Sequence, residues 1–503
     1  MGNLALFFQA MSDLMCVEGI LILVLGVIVG IFFGAVPGLS AFMAVALFVP
    51  VTYGLETAQA FRLLVALYVG GISGGLIASI MLNIPGSPAS IATCFDGSPM
   101  AKKGLADKAL GAGVFFSFVG SLISFAFLIF LAPTLAKFSL KFSSYEYFAV
   151  VFFAMTMIIV MSSGNMIKGL FSGVLGLICA TVGAAPVTTT PRYTFGTLGL
   201  YNGFTLIVVL LGVFALKEVL TCAEEVKKME KTAKIPTPKI KGFGITSEEM
   251  WNQKWNAIRS GLIGTGIGIL PGIGASTAGL VSYVTARRFS KCPEKFGTGI
   301  IDGVVASETA NNAVIGGALI PLMALGIPGD GITAMILGAF MIHGLTPGPL
   351  LFATSSNIVY GIFAACVVSV VIMLVAELGG MRIFIRLLDV PKHILMPLII
   401  VMCVIGAFAA NNVIYDVYIL LFFAVMGYFL AKAKLPVGSF VLAFILGKYM
   451  EEYLLKSLMY STEIKAFYTR PICAFFLVAA ILFTIFSCVK EYREWANKKT
   501  MTE

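Results

Sequence analysis

Charge is what this sequence has least of. Of 503 residues, only 12% are Asp, Glu, Lys or Arg, while 59% are apolar. A water-soluble chain of this length needs about a quarter of its residues charged to cover its surface. Most of this surface must therefore meet something other than water. Histidine is also scarce. The two present, His343 and His393, lie far apart and outside any HExxH pattern, which leaves a membrane zinc protease without support. There is no GxxxxGK[ST] phosphate loop, so ATP hydrolysis through one is excluded. No CxxC pair occurs among the nine cysteines, which stand in or beside apolar runs and read as small buried hydrophobes. The N-terminus lacks a basic region ahead of its first apolar run, so a cleavable signal peptide is not expected. None of these absences leaves a catalytic constellation, and an enzyme is not the expected reading.

What the chain has is long apolar runs. Val17–Val36, Ala109–Ala132, Phe204–Leu220 and Ile472–Val489 are typical. Each approaches or reaches the ~20 residues with which a helix spans a bilayer. The expected fold is an all-α polytopic membrane protein with the lipid bilayer as its solvent. The net charge of +9 does not indicate nucleic acid, because Lys and Arg sit in short loops where membrane topology places them. The most polar interval, 222–257, holds lysines at 227, 228, 231, 234, 239, 241 and 254 and reads as a cytoplasmic linker. It divides a first membrane repeat, 1–221, from a second repeat with extra C-terminal helices, 258–503. No Lys or Arg precedes Arg62, which places the N-terminus outside.

The two parts repeat each other. Gly30-x3-Gly34-x2-Pro37-Gly38 recurs as Gly264-x3-Gly268-x2-Pro271-Gly272, an offset of 234 residues. Gly74-x-Leu76-x5-Leu82-x-Ile84-Pro85-Gly86 recurs as Gly317-x-Leu319-x5-Leu325-x-Ile327-Pro328-Gly329, an offset of 243. The extra residues are expected in the polar loop near Lys291–Thr298. Arg287, Arg288, Lys291 and Lys295 have no basic counterpart near Tyr53–Ala60, whereas Lys102 and Lys103 align with a neutral stretch. Basic loops changing ends is the signature of two inverted repeats. Lys137, Lys141 and the 456–470 region do not follow it.

Four Pro-Gly pairs interrupt apolar segments: Pro37-Gly38, Pro85-Gly86, Pro271-Gly272 and Pro328-Gly329. Proline removes a backbone donor and glycine permits non-helical backbone. One such pair is often only a packing kink. Four, paired across two repeats, suggest interrupted helices or hairpins lining a wet site. A half-helix beginning at a break turns its N–H groups and positive dipole end toward an anion, and the opposite ends offer carbonyls to a cation. Ser40, Ser87, Ser90, Thr93, Ser276 and Thr277 add hydroxyls beside the breaks and join the Pro-Gly pairs as candidate substrate contacts. Any one hydroxyl can equally bond back to its own helix. Glu308, Asn311, Asn312 and Asp330 are polar groups in apolar surroundings and are the candidate cation ligands or proton carriers. A solvated position at a helix end is the ordinary alternative for Glu308. Asp96 and Asp302 border polar loops, where solvation or capping is expected.

Three stretches carry a family resemblance: Gly26–Pro50, Tyr68–Gly104 and Arg259–Leu351, the last with LPGIGAS, ETANNAVIGGALIPLMALGIPGD and HGLTPGPLL. Together they resemble the large subunit of tripartite tricarboxylate transporters, the TctA-like family, over roughly residues 17 to 430. The matching motif positions include Pro37, Gly38, Pro85, Gly86, Thr93, Asp96, Pro271, Gly272, Glu308, Asn311, Asn312, Pro328 and Gly329. The resemblance implies cation-coupled uptake of small tri- or dicarboxylates across the bacterial inner membrane. It also implies a separate small membrane subunit and a periplasmic substrate-binding protein. No cofactor is expected beyond the coupling ion, Na⁺ with H⁺ as the alternative. A homodimer stays open. A substrate-selective anion channel is the competing reading, because channels also use broken helices.

Overall fold

The computed structural model describes residues 3–160, 166–226, 243–386, 388, 390 and 392–502. The lysines at 227, 228, 231, 234, 239 and 241, read above as the middle of the linker, lie outside them.

Helix is the default for a chain in lipid, where backbone groups must be satisfied within the segment. The first part runs through α1 (Asn3–Leu14), α2 (Val17–Ala35), α3 (Ala41–Phe48), α4 (Thr57–Leu82), α5 (Ile91–Lys102), α6 (Ala106–Ser139), α7 (Ser144–Val160) and α8 (Met166–Ala180). A short antiparallel pair follows, β1 (Gly183–Ala184) with β2 (Pro191–Arg192). Next, α9 (Leu206–Leu210) passes through a π-helical stretch at Leu211–Leu216 into α10 (Lys217–Val226). The second part comprises α11 (Ser247–Asn252), α12 (Lys254–Ile269), α13 (Gly274–Phe289), α14 (Ile301–Leu325), α15 (Gly331–Ile342), α16 (Pro349–Thr354) and α17 (Ser356–Arg386). It ends with α18 (Lys392–Asn411), α19 (Ile414–Lys432), α20 (Val437–Tyr460), α21 (Lys465–Thr469) and α22 (Pro471–Thr502). Among the described residues, eight helices are long and apolar enough to cross a membrane. Four shorter apolar helices are too short to do so alone.

Two matching sets form the centre. In one, α2 and α4 run side by side in the same direction. A Cβ on Gly26 would meet Ala66, one on Gly30 would meet Leu67 and Gly71, and one on Gly34 would meet Gly71 and Gly75. Small residues on that seam let the backbones touch. Gln59 Nε2 donates to Glu18 Oε1 at 2.6 Å, so both helices also start together. The chain between them must double back, and α3 is the return. The other set repeats this: Gly264 of α12 abuts Ala310 of α14, and Gly268 abuts Val314 and Gly317. The return is 41–54 in the first set and 274–289 in the second. The connection to the next helix is then only 55–56 against 290–300, so the extra residues are loop.

The last long helix of each set packs on the central helix of the other: α6 on α14, α17 on α4. Gly120 of α6 abuts the backbone of Thr309, and Gly316 abuts Ser124. At Ser73, the residue 243 before Gly316, the hydroxyl donates to Glu377 Oε2 of α17 at 2.8 Å. Central α4 and α14 are buried over most of their length and on every side. The remaining helices lie outside them; α7, α8, α20 and α22 form one peripheral group.

The polar interval before α12 re-enters the fold against α6. The Phe243 carbonyl sits where a Cβ on Gly111 would go, and Glu249 pairs with Lys108. That ammonium, with the helix-capping N–H of Thr246, holds the Glu249 carboxyl below its usual range.

Candidate functional site

Each Pro-Gly pair ends or interrupts a helix for a local reason. Helix α2 stops at Val36. Pro37 cannot continue it, Gly38 takes φ 91°, and Ser40 Oγ then caps α3 by accepting from Met43 N–H at 3.3 Å. Likewise α12 stops at Leu270 and Gly272 takes φ 82°. Asn83 at φ 55° ends α4 before Pro85-Gly86, and Gly326 at φ 73° ends α14 before Pro328-Gly329.

The breaks meet in pairs. A Cβ on Gly86 would lie 2.5 Å from the Gly34 carbonyl and 2.8 Å from that of Gly75. Around Gly329 the corresponding atoms are the Gly268 carbonyl at 2.7 Å and Ala318 Cα at 2.6 Å. Gly272 N–H also donates to the Gly329 carbonyl at 2.8 Å. Between the sets, the Phe42 ring of α3 covers Gly331 at the start of α15. Gly279 of α13 faces Ala89 and Ala92 at the start of α5. All four breaks thus border the buried helices α4 and α14. Ser276 and Thr277 stand half-buried in the first turn of α13.

Glu308 lies in the protein interior, not at a solvated helix end. Its carboxylate accepts from Thr93 Oγ1 of α5, from Ser117 Oγ of α6 at 3.2 Å, and from Asn312 Nδ2 at 3.4 Å. Thr93 also contacts Ser307 Oγ at 3.1 Å, and Asn312 Nδ2 contacts Ser117 Oγ at 2.8 Å. Asn312 Oδ1 and both polar atoms of Asn311 are buried without a hydrogen-bond partner among the described residues. A buried carboxylate ringed by hydroxyls, with free amide oxygens beside it, has the oxygen donor set that suits Na⁺ or a bound proton.

Asp330 is differently engaged. Its Oδ1 accepts from Thr333 N–H and Thr333 Oγ1, both at 2.8 Å, while Thr333 Oγ1 accepts from Asp330 N–H at 2.9 Å. Tyr68 Oη of α4 donates to Asp330 Oδ2 at 2.6 Å. At the corresponding turn of the first set, Ser90 N–H donates to the Ser87 carbonyl at 3.1 Å. Ser90 Oγ closes on the Ser87 N–H and carbonyl. Ser87 Oγ is left buried with no partner among the described residues.

Of the two roles expected for Asp96, solvation and capping, the structure excludes the first and supports the second, since its carboxylate holds N–H groups at the start of α14. Asp96 is buried, accepts from the N–H groups of Gly297 (2.9 Å), Gly299 (2.7 Å) and Ile300 (3.1 Å), and receives Tyr283 Oη at 2.8 Å. Three backbone donors from the α13–α14 loop converge on a carboxylate of the other set. Asp96→Ala removes the acceptor of three part-buried loop N–H groups and of the buried Tyr283 hydroxyl, and is expected to destabilise the fold by about 1–3 kcal/mol. The check is the thermal unfolding midpoint of the purified protein, which should fall well below that of wild type.

The structure brings Thr93, Glu308 and Asn312 into one cluster and pairs the four breaks. It sets Asp330 apart from Glu308 as a helix cap. Sequence reading missed Tyr68, Ser117, Ser73 and Glu377. A lone Glu in the apolar run of α17 was a visible signal for Glu377, which is 1% exposed with no partner for Oε1 among the described residues. For Ser117 there was none, because a serine in a membrane helix is ordinary.

The chain is a multi-pass helical membrane protein with paired backbone breaks and a buried polar cluster, an arrangement that transport proteins use. The pattern of the tripartite tricarboxylate transporter TctA family matches residues 20–442, and the chain belongs to that family. It is similar to an uncharacterised 52.8 kDa protein of the TAR-I ttuC′ 3′ region of Agrobacterium vitis. The two are 30% identical over 479 residues, covering 95% of each. An uncharacterised protein of the TAR-II ttuC′ 3′ region of the same organism is 32% identical over 231 residues, covering 46% of this chain and 96% of the relative. No solved structure matches.

Proposed function

We propose that this chain is the large transmembrane subunit of a bacterial inner-membrane importer that couples small tri- or dicarboxylates to a cation, Na⁺ or H⁺. A separate small membrane subunit and a periplasmic binding protein complete it. Family membership supports the tripartite arrangement. The observation that carries the rest is the buried Glu308 cluster, held from α5, the helix that follows the Pro85-Gly86 break, in a fold whose four breaks meet in pairs against α4 and α14. The half-helices leaving the breaks supply N–H groups for a carboxylate, and Glu308 with its amide neighbours supplies oxygens for the cation. The two sets are inverted repeats about an axis in the membrane plane. Alternating access then moves one part of the helix bundle against the other, exposing the site to either side in turn. Substrate and cation each stabilise the state that can close.

The test is uptake into proteoliposomes holding this chain and its small subunit. A panel of radiolabelled carboxylates is supplied with and without the binding protein, under an inward Na⁺ gradient. Saturable, Na⁺-dependent accumulation is expected. Accumulation driven only by a pH gradient would assign the coupling to protons. Downhill, unsaturated flux would favour a channel, and no flux from folded protein would remove the carboxylate reading.

A further inference from the structure

The two sets are built to one plan, but one of them carries a carboxylate that the other lacks. Residues 243 apart correspond: Tyr68 to Asn311, Ser87 to Asp330 and Ser90 to Thr333. In the second set the start of α15 holds the Asp330 carboxylate, bound by Thr333 and by Tyr68 from α4. At the matching place in the first set, a single 3-10 turn, Pro88–Ser90, runs straight into α5. Ser87 supplies no carboxylate there, and Asn311 is a ring shorter than Tyr68.

The register of α5 against α14 brings Asn311 toward that turn. Helix α5 runs antiparallel to α14: Asp96 abuts Gly303, and Thr93 contacts Ser307 and Glu308. One turn farther back along α5 and forward along α14 puts Ser90 and Ala89 opposite Asn311, and the 3-10 turn does pack on α14. Buried polar groups are almost always hydrogen-bonded. Here Ser87 Oγ is buried with no partner among the described residues, and the buried Asn311 amide lies beside Glu308 with neither polar atom in a well-formed hydrogen bond, while their counterparts Asp330 and Tyr68 are satisfied by each other.

We infer that one carboxylate group of the transported substrate binds at the Ser87–Ser90 turn against Asn311, where it takes the place that the Asp330 carboxylate takes against Tyr68. This rests on the carboxylate reading above and moves Asn311 from the cation to the substrate. The chemistry favours an anion. The Ser87 hydroxyl and the Asn311 Nδ2 can both donate, and the positive dipole end of α5 disfavours a cation. Glu308, one turn before Asn311, is left to the cation. The substrate's carboxylate then touches both sets, through Ser87 on one and Asn311 on the other.

The experiment writes the second set's own pair into the first. Ser87→Asp with Asn311→Tyr should supply the carboxylate from the protein. Binding of radiolabelled citrate and succinate is measured on the reconstituted complex at saturating Na⁺, alongside Ser87→Asp alone, Asn311→Leu alone and wild type. The expected result is at least about tenfold weaker carboxylate binding in each folded variant, the ratio of one lost hydrogen bond to a charged group. The Na⁺ half-saturation should be unchanged. Wild-type carboxylate affinity in folded variants would overturn the inference and leave the importer standing. A raised Na⁺ requirement in Asn311→Leu, with carboxylate affinity intact, would overturn it by returning Asn311 to the cation. Failure of wild type to bind either carboxylate would overturn both the inference and the reading beneath it.

Discussion

Replacing Gly86 by alanine is expected to abolish uptake, and replacing Gly329 is expected to do the same. The cause is steric and sits in the backbone. At Gly86 the new methyl would lie 2.5 Å from the Gly34 carbonyl and 2.9 Å from Gly75 Cα; at Gly329 it would lie 2.6 Å from Ala318 Cα and 2.7 Å from the Gly268 carbonyl. A flexible side chain could swing away from such an intrusion, but these neighbours are main chain on two helices at once. Overpacking of this kind costs about 1–3 kcal/mol where the surroundings can shift. Relief here means prising one break away from its partner break, which displaces the half-helix that should face the ligand. Geometry lost by about 1 Å at such a site lowers a rate by roughly 100-fold. Uptake should therefore fall by at least that factor, with a lower unfolding midpoint. Gly266→Ala and Gly361→Ala are the matched controls, since a methyl at either meets nothing within 4 Å. Normal transport by Gly86→Ala at wild-type expression would show that the paired breaks are packing only.

That prediction was half visible in the sequence. The Pro-Gly pairs announce interrupted helices because proline and glycine act locally, and the 234 and 243 offsets announce two copies of one plan. Hydropathy alone was a poorer guide to the centre. Helix α14 is buried on every side, yet its polar residues keep it off the set of apolar spans, whereas its counterpart α4 is on it. The reason is that α14 meets protein partners, not lipid, so Glu308, Thr309, Asn311 and Asn312 can be accommodated there. Contacts between distant parts were not legible at all. Tyr68 reaching Asp330 spans 262 residues, and Thr93 reaching Glu308 spans 215. For Asp96 the choice between solvation and capping was not legible, for the same reason. Its loop-side position suggests solvent, but the donors that bury it come from residues about 200 positions later.

Glu308→Gln should separate coupling from binding. The amide keeps the size of the carboxylate and one oxygen to accept from Thr93, Ser117 or Asn312, so the protein should fold and assemble. What it loses is the negative charge and the ability to carry a proton. A cation held by Glu308 would lose a charged ligand in a buried site, and a loss of about 3 kcal/mol there corresponds to roughly 100-fold in affinity. Gradient-driven accumulation should therefore collapse by about that factor at moderate Na⁺. Substrate exchange across the membrane, which needs no net cation movement, should survive if Glu308 carries protons and weaken at low Na⁺ if it holds Na⁺. Glu308→Ala should do more damage, because it also strands the Thr93 and Ser117 hydroxyls in the interior. The measurement is accumulation and exchange in the same proteoliposomes across a Na⁺ series. Unchanged accumulation with unchanged Na⁺ dependence in Glu308→Gln would remove Glu308 from the coupling path. The next residue to test would be Glu377, a buried carboxylate on α17 held by Ser73 of α4.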